Sequence, residues 1–325
     1  MSNLFFDNMS NSSLKCSFSS RFCSRWLAAD PTRAAIVKKL AESPLSQIIF
    51  AEIVQKEMTK GTSLAGAMRR LRNLLITTLI ERDLSGRADL AEVVFTMTSF
   101  ADFAVQTHLH ALTLELIAQY GTPIGDESHT TQEMIVLGMG KLGGAELNVS
   151  SDIDLIFCYP EGGDTLVSTP DQRSLSNHEF FTRLGKKLIA ALSDMTEDGF
   201  TFRVDMALRP NGASGPLVAS FGMIEEYLIV QGREWERYAW LKARALTGRP
   251  NDIAALEAIV KPFVYRRYLD FGAIDAIRNM HAQIRADVIR QETRHPDRNN
   301  NVKLGRGGIR EIEFLAQVFQ LIRGG

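Results

Sequence analysis

Between Pro31 and about Tyr120, apolar positions return every three or four residues, as at Leu71, Leu74, Leu75, Thr78 and Leu79, with charged residues in the intervals. That period puts one apolar stripe on a helix and predicts a helical region. Pro123, Gly125 and the polar stretch GDESHTT break the period and mark a boundary. Beyond it, Met134 to Leu137 is a short apolar run ended by Gly138, and Asp152 to Tyr159 alternates with a period of two, so both predict strands. FFTRLGKKLIAALSDM (Phe180 to Met195) has helical spacing, and FTFRVDMAL (Phe200 to Leu208) returns to alternation. After Phe221 the spacing is helical again, through EEYLIVQGREWERYAWLKARAL and GAIDAIRNMHAQIRADVIRQE, interrupted by RHPDRNNNVKLGRGG. The last helix, IREIEFLAQVFQLI, meets Gly325 with no closing element, so this region is expected to be the start of a truncated helical domain. The order predicts an α+β fold: a poorly ordered N-terminus (1–25), a helical region (26–122), a mixed domain (123–248) and a second helical region (249–325).

Charge narrows the partners. Lys and Arg number 37 against 38 Asp and Glu, so a net charge of -1 offers no global field for nucleic acid or an anionic membrane, and neither is expected as a partner. No apolar run approaches the roughly 18 residues that span a bilayer. Cys16, Cys23 and Cys158 form neither a disulfide framework nor a CxxC pair, which suits a reducing cytoplasm. The first 25 residues, Ser-rich with Lys15, Arg21 and Arg25, imitate a transit peptide, but a frayed start is the expectation. Six histidines are scattered, and His108 and His110, two apart on a helix, face different ways and read as structural.

The candidate chemistry sits in VLGMGKLGGAELNVSSDIDLIFCYP, Val136 to Pro160. Gly138, Gly140 and Gly143 satisfy GxGxxG, yet a dinucleotide cradle needs a crossover helix, and only residues 144–151 separate Gly143 from Asp152. A Walker loop fails because Lys141 is followed by leucine. Two readings stay open. One is a glycine-rich hairpin with solvated aspartates. In the other, Asp152 and Asp154 share one face of a strand, roughly 7 Å apart at their α-carbons. Their mutual repulsion is then relieved by a divalent cation such as Mg²⁺, which suits oxygen ligands and leaves positions open for phosphate. Asp205, mid-strand in FRVDMALRP and 51 residues beyond Asp154, offers a third carboxylate for a two-metal site.

Backbone at Gly138, Gly140, Gly143 and Gly144 can approach phosphate oxygens, Lys141 adds a point charge, and Ser151 is counted with these nucleotide-binding residues. Arg209, Asn211, Gly212, Ser214 and Gly215 follow the third acid in a loop with free backbone donors, either a phosphate or ribose contact or an ordinary turn. REWERYAWLKAR reads as an active-site helix or a solvated amphipathic one.

These blocks together resemble the polymerase-β-type nucleotidyltransferase superfamily. GMGKLGGAELNVSSDIDLIF, RVDMALRPNGASGPL, QGREWERYAWLKAR, PFVYRRYLDF and KLGRGGIREIEFLAQVFQLIRGG, in that order, resemble bacterial bifunctional glutamine synthetase adenylyltransferase/adenylyl-removing enzymes over roughly residues 25–325. That family carries two nucleotidyltransferase domains, and the wording here resembles the first, adenylyl-removing one. The resemblance implies that 123–248 is the catalytic domain and that phosphate attacks the AMP esterified to a glutamine synthetase tyrosine, giving ADP. It implies Asp152, Asp154 and Asp205 as catalytic, metal-binding acids for two Mg²⁺ ions. It also implies Gly138, Gly140, Lys141, Gly143 and Gly144 at the nucleotide (ADP or ATP), and a PII-type signalling protein as a second partner of the full-length enzyme. Adenylyl transfer from ATP and a catalytically silent sensing module are the alternatives.

Overall fold

The computed structural model describes residues 14–265 and 301–323 except 304 and 306, with residues 282, 286, 289 and 290 between them. Residues 1–13 and most of the helical stretch expected over GAIDAIRNMHAQIRADVIRQE lie outside the described residues. The fold mixes α and β, with a small sheet between helical regions. It divides into two compact units, each assembled from separated segments: 1–115, 145–153 and 186–204 in the first, 116–144, 154–185 and 205–325 in the second. No helix of the described residues is long and apolar enough to cross a membrane.

The first unit is helical: α1 (Lys15–Ser19), α2 (Arg21–Ala28), α3 (Thr32–Leu40), α4 (Gln47–Thr59), α5 (Leu64–Leu84) and most of α6 (Leu90–Tyr120). Leu71, Leu75 and Leu79, four apart, form the buried stripe of α5, and Ser63 caps its start by accepting from the Gly66 N–H at 3.2 Å. Arg82 near its end is buried and donates to both oxygens of Glu92, at 2.6 and 2.9 Å, and to the Ala41 carbonyl at 2.8 Å, so one guanidinium ties α5 to α6 and to the end of α3. Residues 14–25, expected to be poorly ordered, instead form α1 and most of α2. Cys16 and Cys23 are fully buried with Leu14 and Val37, and the Cys16 N–H donates to the Glu81 carboxylate at 2.9 Å. The two small buried thiols pack with Phe22, Trp26 and Leu27, while the serines and basic residues between them make the composition read as frayed.

The second unit carries the sheet. β2 (Ile135–Gly138) pairs antiparallel with β3 (Ile153–Tyr159), from Ile135↔Cys158 to Gly138↔Leu155, and on its other side with β7 (Arg244–Ala245). The order is β5-β3-β2-β7, where β5 is Val204–Asp205, while β6 (Val218–Ser220) runs parallel to the far half of β3. A two-stranded ribbon of β1 (Thr122–Pro123) and β4 (Thr165–Leu166) stands apart from it. All four residues of β2 are buried, and in β3 only Asp154 is not, so the alternation read from the sequence is overlaid by burial on both faces. α9 (Phe221–Val230), α10 (Glu234–Leu241) and α11 (Pro250–Val264) supply Ile224, Trp240 and Leu256 to the core against Ile135 and Ile156. α8 (Asn177–Ser193) and α12 (Ile309–Arg323) are further long helices.

The strand expected over Phe200–Leu208 is reduced to Val204–Asp205. Thr201 and Phe202 donate their N–H groups to the Leu192 carbonyl, both at 2.9 Å, and the chain turns after Asp205, so the pairing with β3 does not extend along the rest of the segment.

Candidate functional site

In the second unit, β2 ends in Gly138, Met139 is extended, and the chain winds into a single turn of helix, α7 (Gly140–Gly143). The glycines have separate duties. Gly140 has φ +54°, and a Cβ there would lie 3.2 Å from the Asp154 Oδ2, so its absence leaves room beside that carboxylate. The Met139 N–H donates to the Asp154 carbonyl at 2.9 Å and fixes this approach. At Gly143 a Cβ would fall 1.6 Å from the Lys242 carbonyl oxygen and 2.5 Å from that of Gly138, and at Gly138 it would meet the Leu142 side chain at 2.9 Å. These two are glycine because backbone and side chains close around them. Gly144 caps the turn, Lys141 is exposed on it, and the Arg244 Nη2 donates to the Leu142 carbonyl at 3.2 Å.

Asp205, read as mid-strand from the sequence, instead ends the two-residue β5 and is exposed. Its Oδ1 accepts from the Ala207 N–H at 2.7 Å and starts a turn. The N–H groups of Gly212, Ser214 and Gly215 donate within that loop, to Arg209, Asn211 and Gly212, so the free donors expected there are already engaged. The Arg209 Nη1 donates to the Met206 carbonyl at 2.7 Å, while its buried Nε has no partner among the described residues. α10 is largely a packing helix: Tyr238 stacks on Phe314 at 5.2 Å, Trp240 is buried, and Arg237 lies over Phe263. Burial first, then the Glu234 charge, raises the Tyr238 hydroxyl to a pKa of about 12.

In the first unit, Asp152 directly precedes β3 and is exposed, its Oδ1 accepting from the Arg203 Nε. The Arg203 Nη2 also donates to the Ser150 carbonyl at 2.9 Å. Ser151 turns towards Asn148, its Oγ donating to Oδ1 at 2.8 Å. Phe200 carries two guanidinium groups, Arg72 at 4.6 Å and Arg203 at 5.5 Å from its ring centre. Burial, then the Arg203 charge, lowers the Arg72 pKa to about 10. Arg203 is the residue that sequence reasoning leaves unassigned. Its place two residues before Asp205 is the available signal, and its pairing with a residue 51 positions earlier is not legible from spacing.

The donor chemistry fits a hard divalent cation. Asp152 and Asp154 flank the buried Ile153, both are at least partly exposed, and Gly140 leaves space at Asp154. Among the described residues, however, no group of three or more His, Cys, Asp or Glu is placed to hold a metal ion. Asp152 is taken by Arg203 and Asp205 by its own turn.

Comparison with known proteins gives a consistent picture. The family model described as glutamate-ammonia ligase adenylyltransferase matches residues 16–259, beginning before the resemblance expected from about residue 25. A second, described as GlnD PII-uridylyltransferase, matches residues 278–325. The chain is 53% identical over 317 residues to a protein of Burkholderia mallei named bifunctional glutamine synthetase adenylyltransferase/adenylyl-removing enzyme, covering 94% of this chain and 34% of that one. Proteins of the same name from Nitrosomonas europaea (48% over 315 residues, 94% and 33% covered) and Neisseria meningitidis (54% over 262 residues, 81% and 28%) are also similar. The chain spans about a third of the length of the curated relatives it matches.

Proposed function

The chain belongs to the glutamate-ammonia ligase adenylyltransferase family, and on that premise we propose that it removes AMP from adenylylated glutamine synthetase by phosphorolysis, in the cytoplasm, as part of the control of nitrogen assimilation. The observation that carries this reading is the family match itself, which runs from residue 16 to 259 and takes in Asp152, Asp154 and Asp205. One oxygen of inorganic phosphate attacks the α-phosphorus, the bond from phosphorus to the tyrosine oxygen breaks, and the products are ADP and free tyrosine.

Phosphate is anionic at neutral pH and the tyrosine leaving group has a pKa near 10, so no histidine base is demanded. Asp152, Asp154 and Asp205 are the residues proposed to hold Mg²⁺, which when bound would neutralise charge on the attacking and leaving oxygens. Lys141, exposed on α7, supplies a point charge for phosphate. The opening beside Asp154 lets backbone at Gly140 approach the nucleotide. The double name of the relatives favours a second reading, adenylyl transfer from ATP by the same acids. The match of residues 278–325 to a PII-uridylyltransferase family supports a PII-type protein as a further partner.

The test is incubation of the chain with adenylylated glutamine synthetase and Mg²⁺. AMP removal that rises with phosphate concentration supports phosphorolysis. Labelling of unmodified glutamine synthetase from ATP supports transfer instead.

A further inference from the structure

We propose that Arg203 is an internal counter-ion of Asp152, occupying its carboxylate until a divalent cation displaces it, so that loading of the metal is a competition between two cations; the inference rests on the metal reading of Asp152 given above. The guanidinium is held in place from several sides. Its Nε donates to the Asp152 Oδ1, its Nη2 donates to the Ser150 carbonyl at 2.9 Å, and its Cζ lies over the Phe200 ring, 5.5 Å from the ring centre. The backbone fixes the same register, because the Ile153 N–H donates to the Arg203 carbonyl at 3.0 Å. Arg203 is thus carried beside Asp152 by the chain itself.

Charge explains why the pairing matters. Arg72, partly buried, reaches the same Phe200 ring, so the two guanidinium groups raise the local potential, and Asp152 is the acid bonded to Arg203. A divalent cation brought to Asp152 would meet that positive field, and the carboxylate cannot satisfy both cations at full strength. The arrangement agrees in that the Asp152 carboxylate is turned to Arg203. Both partners are about half exposed, at 50% for Asp152 and 56% for Arg203. An exposed pair is weak, so the competition is expected to amount to about two- to five-fold in cation affinity.

Binding of Mn²⁺ alone, followed by calorimetry or by the electron paramagnetic resonance of the free ion, tests this on the full chain. Arg203→Gln is expected to bind Mn²⁺ about two- to five-fold more tightly than the unaltered protein, with Arg203→Lys close to the unaltered value because the charge is kept. Asp152→Asn should bind more weakly, and adding Arg203→Gln to it should bring no gain, since the competitor then has nothing to compete for. Equal or weaker binding by Arg203→Gln, while Asp152→Asn still loses affinity, overturns the counter-ion role and leaves the metal reading standing. Unchanged or absent Mn²⁺ binding across the unaltered protein, Asp152→Asn and Asp154→Asn overturns the metal reading, and the counter-ion with it.

Discussion

Asparagine is the informative replacement at each of the three acids, because it keeps shape and an acceptor oxygen while removing charge. At Asp205 this matters most: Oδ1 starts the turn to Ala207, and asparagine preserves that bond. Asp152→Asn, Asp154→Asn and Asp205→Asn are each expected to abolish adenylyl removal with the circular dichroism spectrum and thermal midpoint close to unaltered. Retained turnover in any of them removes that residue from the site. His108 gives a second prediction at this scale. It is buried on α6, its Nε2 has no partner among the described residues, and burial followed by the Arg69 charge lowers its pKa from 6.5 to about 4. Between those values the unfolded chain binds a proton that the folded one refuses. Stability therefore falls as pH drops from about 6.5 towards 4, by at most about 1.4 kcal/mol per pH unit from this group. Urea unfolding of His108→Gln should show a shallower pH dependence over that window. Parallel curves would contradict the burial argument.

Elements rather than single residues explain the turn from β2 into α7. Gly143 packs against backbone carbonyls that cannot swing aside, so Gly143→Ala must push α7 away from the segment leading into β7, at a cost of about 2–3 kcal/mol. Gly222→Ala is the control. It sits in α9 with no neighbour of its Cβ closer than 4.0 Å, and is expected to be neutral or to stabilise by up to about 1 kcal/mol. Equal effects in denaturant titration would show that the packing at Gly143 has been misjudged. The elements also show how far pattern reaches. Met134–Leu137 and Asp152–Tyr159 were legible as strands because apolar runs ended in glycine or alternated about aspartates, and Ile153, Leu155 and Phe157 are indeed buried. The turn of α7 was not legible, because glycines suppress the helical signal and tertiary contacts override propensity. The strand from Phe200 was overread, since alternation does not reveal whether a partner strand runs alongside. α1 and α2 are not legible because the Ser-rich, basic composition masks a short apolar set, Cys16, Phe22, Cys23, Trp26 and Leu27, that packs on α3 and α5.

For the whole molecule, composition had excluded a global electrostatic partner, and function had to be sought in a local site. The five ordered blocks pointed to the family, and the family match from residue 16 to 259 agrees with them. The pairing of Asp152 with Arg203 was beyond any such reading, because it joins two residues through the folded chain. The proposed phosphorolysis makes inorganic phosphate, and neither water nor ATP, the co-substrate. Incubation with adenylylated glutamine synthetase, Mg²⁺ and ³²P-labelled inorganic phosphate tests it most directly. Phosphorolysis puts the label in the β-phosphate of ADP, released in step with the loss of AMP from the protein. Unlabelled AMP as the product, or no loss of AMP from the modified protein when phosphate is present, would contradict it.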